Sequence, residues 1–305
     1  MERVVDGEKS SRPLPRKGLF IIGCPRSGTT ILQDALNDSG EVFLFGEPDF
    51  HKDPGTPDFA QRYNGMHRAW RNQPTKSTFC PTLFDGDARW SDYLARLADH
   101  YKLVGAKIVL NPSEFLHDPD QVFSFYSKEF YQSHFIFTFR DPLFTSKSAQ
   151  ELQAMTGGDV APLDMLMANY VAAISLCIVM LRNLPHVHIV FHDNMTRRTF
   201  GYLEKKLQIR LKGARRYYDQ TKVRAYDPTP ILRECGEKAQ LVQDLYRDFR
   251  QAAIRGFDLL QIGQNSANPS PTHLTPLGQL ARRCEMIAER FGPFGRIVGG
   301  ASFAA

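Results

Sequence analysis

A glycine-rich turn between a short apolar run and an amphipathic segment constrains this chain more than any other feature. Residues 19–22 are all apolar and are followed by Gly23, which is the profile of a strand buried in a parallel sheet. Gly28 ends the turn, and residues 29–37 then carry apolar side chains at helical spacing. Strand, turn and helix therefore occupy fewer than twenty residues, a spacing typical of the first unit of a parallel α/β sheet.

The rest of the chain repeats the alternation of strand and helix. Four more strands are predicted, over residues 42–45, 103–110, 134–139 and 187–191. The predicted helices after the first cover residues 59–70, 90–100, 121–131, 142–155, 162–184, 231–254 and 277–291. Because helices separate the strands, we expect an α/β fold in which a parallel β-sheet is flanked by helices on both faces, with a helical C-terminal part.

The 305 residues would suffice for one large domain or for two modest ones. No internal repeat and no sharp linker divides the sequence, so we expect a single α/β domain over residues 18–295. Residues 1–17 are polar, contain two prolines, and are expected to form a flexible N-terminal tail. Residues 296–305 are rich in Gly and Ala and are expected to form a frayed C-terminal tail.

Charge and cysteine content argue against several classes of protein. Lys and Arg outnumber Asp and Glu by 38 to 33, too small a surplus for a general nucleic-acid binder. The five cysteines form no CxxC pair, which argues against a disulfide framework or a zinc knuckle. The longest apolar run, residues 171–181, is about half a membrane span, and the N-terminus lacks the apolar core of a secretory signal. We therefore expect a cytoplasmic protein with reduced thiols, no membrane span and no nucleic-acid partner.

The turn itself, GCPRSGTT at residues 23–30, predicts an anion site. Its two glycines and Thr30 match the nucleotide-triphosphate loop G-x-x-x-x-G-K-[ST], but Thr29 stands where that loop has a lysine. Backbone N–H groups at a helix start can still bind an anion, and Arg26 supplies a planar cationic fork for phosphate or sulfate oxygens. We interpret the turn as P-loop-like; the alternative is a turn that only connects strand to helix.

A second polar segment, RDPLFTSKS at residues 140–148, follows the fourth predicted strand. Ligands of open α/β sheets bind beyond the carboxyl ends of the strands, where both segments are expected to lie. Arg140 would leave the strand, and Ser148 would lie about two turns into the next helix. On its own, an Arg-Asp-Pro sequence is also a common way to begin a helix.

Together the two segments resemble those of the sulfotransferase family, which takes its sulfuryl group from 3′-phosphoadenosine-5′-phosphosulfate (PAPS). In that family a PRSGTT-like loop after the first strand binds the 5′-phosphosulfate, and an Arg with a Ser eight positions later binds the 3′-phosphate. Here PRSGTT occupies residues 25–30, and Arg140 and Ser148 have that spacing. The resemblance covers residues 18–150 and is closest to bacterial members and to the tyrosylprotein and heparan-type branches.

The resemblance implies a role for each matching residue. Glu47, in a Gly-Glu pair after the second strand, corresponds to the general base of those branches. Lys107 corresponds to the lysine that contacts the transferring group, and Arg26 would hold that group during catalysis. The residues implied in donor binding are Arg26, Ser27, Gly28, Thr29, Thr30, Arg140 and Ser148, to which Lys222 is added from a basic segment.

These roles have alternatives. Glu47 could be an exposed loop carboxylate or the salt-bridge partner of the loop arginine. His51 is the alternative base, because cytosolic members of the family use a histidine. Lys107 could be a solvated charge at the edge of the sheet.

A basic segment and a row of histidines also stand out. Residues 197–224 carry ten basic and two acidic residues. Either Lys222 or Arg224 helps to bind the donor's 3′-phosphate, or the segment attracts an anionic acceptor, or it is a solvated helix face. His186, His188 and His192 fall on one face of the fifth strand. No cysteine or carboxylate joins them at ligand spacing except Asp193, which falls on the other face, so we expect no metal.

The sequence thus predicts a PAPS-dependent sulfotransferase that sulfates a hydroxyl of a small-molecule, sugar or lipid-like acceptor and releases adenosine-3′,5′-bisphosphate. The acceptor pocket is expected within residues 48–90 and 151–170. Two other functions stay open: a nucleotide-dependent kinase or phosphotransferase, and a non-catalytic nucleotide-binding protein of the same fold. The candidate aromatic walls of the pocket are Phe50, Trp70, Phe79, Phe84 and Trp90.

Overall fold

A five-stranded parallel sheet forms the centre of the molecule. The computed structural model describes residues 17–52, 90–157, 159–211, 217, 227–256 and 275–299. The strands are β1 (Leu19–Gly23), β2 (Val42–Gly46), β3 (Leu103–Val109), β4 (His134–Phe139) and β5 (Val187–Phe191). They pair in the order β2-β3-β1-β4-β5, and all neighbours are parallel. The predicted fold class is confirmed, and each strand end lies within one residue of its predicted position.

Helices connect the strands and form the C-terminal part of the chain. They are α1 (Thr29–Asn37), α2 (Trp90–Ala98), α3 (Pro112–Phe115), α4 (Pro119–Glu129), α5 (Pro142–Met155), α6 (Leu163–Asn183), α7 (Arg197–Leu207), α8 (Thr229–Ile254) and α9 (Pro276–Glu289). The sequence pattern does not predict the single turn α3, and the helix predicted over residues 59–70 lies outside the described residues. The backbone of α8 leaves the helical region at Gly236.

The sheet is buried on both faces, because its side chains alternate between two apolar layers. On one face Phe20 and Ile22 of β1 pack into a layer that includes α6, and on the other Leu19 and Ile21 pack with residues of α1 and α7. Helix α6 is long and apolar enough to cross a membrane by length and composition, but 89% of its most apolar window is buried inside the fold. Helix α6 is therefore a buried core helix of this fold.

The last described residues are packed against the fold, unlike the loose tail expected from residue 296 onward. Val298 is buried, and its carbonyl accepts a hydrogen bond from Ser175 in the core helix α6. The Arg296 guanidinium donates to the carbonyl of His117, and the Gly299 N–H donates to Asp120. The Gly/Ala-rich composition gave no sign of these contacts, which are made by two backbone groups, one buried valine and the Arg296 guanidinium.

Gly105 of β3 leaves no room for a side chain, which gives a test of the central strand pair. A Cβ at this position would lie 1.9 Å from the carbonyl oxygen of Leu19 in β1. We expect Gly105→Ala to lower the free energy of unfolding by about 3 kcal/mol, measured by urea denaturation, because backbone must move. Gly201→Ala, in α7 with no atom within 4 Å of its Cβ, is the matched control and should cost nothing. Equal effects of the two substitutions would contradict the close β1–β3 contact.

Candidate active site

The P-loop-like turn between β1 and α1 forms a compact cradle. Gly28 is the N-cap residue before α1 and lies in the left-handed region at φ 98°, and no side chain of the described residues caps this helix. Ser27 is fully buried and its hydroxyl lies 2.9 Å from that of Thr138 in β4. A Cβ on Gly23 would lie 2.4 Å from the Ser27 hydroxyl, so glycine is needed for the close approach. The first N–H groups of α1, including that of the buried Thr29, thus lie at a helix start without a side-chain cap in the described part of the chain.

Arg26 joins the turn to the second motif. Its side chain is exposed, and its Nε donates to the hydroxyl of Ser148 over 3.0 Å. Ser148 lies in α5, which begins where β4 ends. The two segments predicted to bind one donor are thus brought together at the same edge of the sheet.

Glu47 and Lys107 form an ion pair directly beside the turn. Lys107 Nζ lies 2.7 Å from Glu47 Oε1 and donates to the hydroxyl of Thr30 over 3.0 Å. The lysine side chain is only 7% exposed and that of the glutamate 25%, so the alternative of a solvated edge lysine is wrong. Glu47 also adopts a positive φ of 51° and donates its N–H to the carbonyl of Lys107, which holds the carboxylate next to its partner.

His51, the alternative base, occupies a different environment. Its ring is buried and packs against Tyr126, with ring centroids 6.0 Å apart. Burial and the nearby Lys52 lower the pKa of His51 to about 4. Glu47 is thus linked to the turn through Lys107, whereas the described ring contact of His51 is with Tyr126.

Arg140 lies at the end of β4, as predicted, and is held by aromatic and acidic neighbours. Its guanidinium lies 3.4 Å from the centroid of the Phe144 ring, and its Nε is 3.4 Å from Oδ1 of Asp193. Ser148, which was expected to bind the same phosphate as Arg140, accepts a hydrogen bond from Arg26. Lys222, the remaining predicted donor ligand, lies outside the described residues.

Several residues at this edge were not singled out from the sequence. Asn169, in the apolar helix α6, donates to the carbonyl of Leu110 over 2.8 Å and lies 3.6 Å from the Cys24 sulfur. It therefore ties the ends of β1 and β3 together, and burial raises the pKa of the Cys24 thiol to about 12. A lone amide within an apolar helix is the signal that could have revealed it. Thr138 and Asp193 carry no comparable local signal.

The three histidines that the sequence places on one face of β5 lie at opposite ends of the sheet, with His186 and His188 at the start of the strand and His192 after its end. His192 packs against the turn: a Cβ on Gly28 would lie 2.1 Å from its Cδ2. At the start of β4 and β5, His134 stacks on His186 and lies 3.2 Å from His188, ring nitrogen to ring nitrogen. Burial lowers the pKa of His134 and of His188 to about 4. Within the described ranges, no cluster of three or more His, Cys, Asp or Glu suited to a metal is found.

A cavity of about 320 Å³ lies beyond the end of β3. Its lining includes the apolar residues Ile108 and Phe115 and the polar residues His51, Lys52 and Glu114. Two of the predicted aromatic walls do not line it.

Phe50 and Trp90 are 0% and 6% exposed and stack with ring centroids 5.0 Å apart. They belong to the core, because the apolar layer on that face of the sheet needs large side chains there, so their prediction as pocket walls is wrong. Trp70, Phe79 and Phe84 lie outside the described residues.

Comparison with known proteins shows a family match and solved structures that are similar to this chain. The model of a family described as "Sulfotransferase family" matches residues 18–205. The sulfotransferase domain from the Synechococcus PCC 7002 olefin synthase aligns over 90% of this chain and 96% of its own, at 16% identity and a TM-score of 0.52. A sulfotransferase from Alicyclobacillus acidocaldarius aligns over 82% of this chain and 99% of its own, at 16% identity and a TM-score of 0.48. No curated protein matches the sequence significantly.

Proposed function

The chain belongs to the sulfotransferase family, and on this premise we propose that it moves a sulfuryl group from PAPS to an acceptor hydroxyl. The observation that carries the proposal is the contact of Lys107 with both Glu47 and Thr30, at 2.7 and 3.0 Å. It places a carboxylate, an ammonium and the P-loop-like turn at one point. We propose adenosine-3′,5′-bisphosphate as the released product and no metal in the reaction.

The turn fits the donor's phosphosulfate by its own geometry. Gly23 and Gly28 sit where a Cβ would collide with neighbours, and the start of α1 presents backbone N–H groups without a side-chain cap in the described part of the chain. Such N–H groups bind anions, and the helix dipole adds to the attraction. Arg26 would contribute its planar cation from the rim of the turn.

The proposed chemistry is an in-line displacement at sulfur. A bond forms between the acceptor oxygen and sulfur while the bond from sulfur to the 5′-phosphate oxygen breaks, and the acceptor proton passes to the Glu47 carboxylate. Lys107 would neutralise the charge that grows on the leaving phosphate oxygen, since it lies beside the turn. Positioning and charge stabilisation, rather than a covalent enzyme intermediate, would supply most of the acceleration.

We propose that the acceptor, a small-molecule, sugar or lipid-like alcohol, enters the cavity beyond β3. Its lining residues Ile108 and His51 are near neighbours, along the chain, of Lys107 and Glu47. A lining that combines apolar side chains with a few polar groups is typical of small-molecule sites. We also propose a single domain that begins at residue 18 and includes the packed residues 296–299. The start of the domain, a cytoplasmic location and the likeness to the tyrosylprotein and heparan-type branches are proposals that rest on the sequence.

The donor is tested by thermal unfolding with adenosine-3′,5′-bisphosphate, ADP and ATP–Mg²⁺ in parallel. We expect stabilisation by the bisphosphate alone, of about 2.7 kcal/mol at a hundred times its Kd. Arg140→Gln should reduce that stabilisation, whereas Arg255→Gln, an exposed residue after α8, should leave it unchanged. Stabilisation by ATP–Mg²⁺ instead would favour the phosphotransferase function, which the threonine at position 29 argues against.

A further inference from the structure

We propose that Asp193 and Tyr246 position Arg140 for the donor's 3′-phosphate, so that helix α8 takes part in selecting the nucleotide. Tyr246 lies in α8, beyond residues 18–205 that match the family. The inference rests on the proposed function, because it assumes a donor with a 3′-phosphate.

Asp193 connects three parts of the chain at the end of the sheet. Its Oδ1 lies 3.4 Å from Nε of Arg140, and its Oδ2 accepts the backbone N–H of Asp141 over 3.0 Å. The same Oδ2 accepts the hydroxyl of Tyr246 over 3.2 Å. Asp193 lies two residues after the end of β5, whereas Arg140 directly follows β4. The carboxylate is therefore held by two groups besides the arginine, and it cannot turn away without losing both.

Arg140 is fixed on its other sides as well. Its carbonyl accepts a hydrogen bond from the hydroxyl of Tyr170 over 2.6 Å, and its guanidinium stacks on Phe144. The arginine side chain is only 12% exposed. A guanidinium that stacks on a ring and is paired through Nε has a fixed plane, and a planar fork binds a phosphate best when its orientation is set in advance.

Tyr246 is well suited to hold Asp193. Burial and the neighbouring Asp193 carboxylate raise the pKa of the Tyr246 phenol far above its ordinary value, so the hydroxyl stays protonated and can donate. Around it, α8 packs on the ends of β4 and β5: the Phe249 ring lies 5.0 Å from that of Phe139, and the Tyr246 ring 6.0 Å from that of Phe191. Helix α8 thereby fixes the position of the Tyr246 hydroxyl relative to the sheet.

Substitution of Asp193 distinguishes a role in orienting the Arg140 guanidinium from simple neutralisation of its charge. If Asp193 only neutralised Arg140, its removal would strengthen binding of a phosphate there. If it orients the guanidinium, its removal weakens binding of the 3′-phosphate and leaves the rest of the nucleotide unaffected. The two interpretations predict opposite signs for the same substitution.

The test is isothermal titration of the full chain with adenosine-3′,5′-bisphosphate and with adenosine-5′-monophosphate, which lacks the 3′-phosphate. For Asp193→Asn we expect the bisphosphate Kd to rise about tenfold, and for Tyr246→Phe about threefold, as suits loss of a hydrogen bond to a charged group. The monophosphate Kd should change less than about twofold in both variants. The matched controls are Asp244→Asn, whose carboxylate pairs with Arg247 within α8, and Tyr202→Phe, whose hydroxyl meets His188.

The outcomes separate this inference from the proposed function. Tighter or unchanged bisphosphate binding by Asp193→Asn overturns the positioning role, as does equal weakening of both nucleotides together with a lower Tm, which would be a structural effect only. If the unaltered protein does not prefer the bisphosphate to the monophosphate, both the proposed donor and this inference fail. A preference that is kept in the unaltered protein and lost in the two variants supports the inference.

Discussion

Replacing Glu47 by glutamine is expected to lower kcat by about 10²–10⁴-fold, the usual contribution of a general base. Glutamine keeps the size of the side chain and can still accept a hydrogen bond from Lys107, which lies 2.7 Å from the carboxylate. It cannot take the proton of the attacking hydroxyl. The measurement is the release of adenosine-3′,5′-bisphosphate from PAPS over a panel of alcohol and phenol acceptors. The Kd of the bisphosphate should change by less than about threefold, because the reacting proton belongs to the acceptor.

Two further variants make the Glu47 result decisive. Glu129→Gln removes a carboxylate at the end of α4 that is 41% exposed and lies 3.8 Å from Lys128, and it should leave kcat unchanged. His51→Gln tests the alternative base; its imidazole is neutral at pH 7, because burial lowers its pKa to about 4. Full activity of Glu47→Gln together with a large loss in His51→Gln would transfer the role of base to the histidine.

The sequence predicted the strands and the turn because both are encoded locally. Each strand is a short run of apolar residues bounded by Gly, Pro or polar residues, and all five strands are found within one residue of their predicted ends. The turn carries its own signals in two glycines and a cation. The edge of the sheet at which Arg26 and Arg140 lie then follows from a general rule, since ligands of parallel sheets bind beyond the carboxyl ends of strands.

The sequence could not show which side chains from different strands would meet, because those contacts depend on the order of the strands in the sheet. Because β3 lies between β1 and β2, Lys107 is brought between the turn and Glu47; in another strand order the same lysine would be a solvated edge charge. Because β5 lies beside β4, Asp193 reaches Arg140. Each contact joins residues more than fifty positions apart, and periodicity within one segment contains no information about it.

Aromatic residues gave the clearest error. Phe50 was expected to line the acceptor pocket on the basis of composition and position alone, yet it is fully buried in the core. Large aromatic side chains fill cores as readily as they line pockets, and composition alone does not separate the two. The cavity beyond β3 is instead lined by short strand and helix ends, which a sequence pattern does not mark.

Gly28→Ala is expected to raise the Kd of adenosine-3′,5′-bisphosphate by about 100-fold, equivalent to about 2.8 kcal/mol. Gly28 has a φ of 98°, a region that costs a residue with a Cβ about 1–3 kcal/mol. The added Cβ would also lie 2.1 Å from Cδ2 of His192. Both effects displace the first N–H groups of α1, which are the proposed ligands of the phosphosulfate. The measurement is isothermal titration, with circular dichroism to verify that the variant is folded.

Two companion variants separate the two causes of the lost nucleotide affinity, which are backbone strain at position 28 and collision with His192. Gly40→Ala has a comparable φ of 72° but no atom within 4 Å of its Cβ, so it should lower the free energy of unfolding by about 1 kcal/mol without changing nucleotide affinity. Gly28→Ala combined with His192→Ala removes the collision and keeps the backbone strain, so about tenfold of the affinity should return. Nucleotide affinity that survives Gly28→Ala unchanged would mean that the turn does not bind the donor, and the proposed role of residues 26–30 would have to be abandoned.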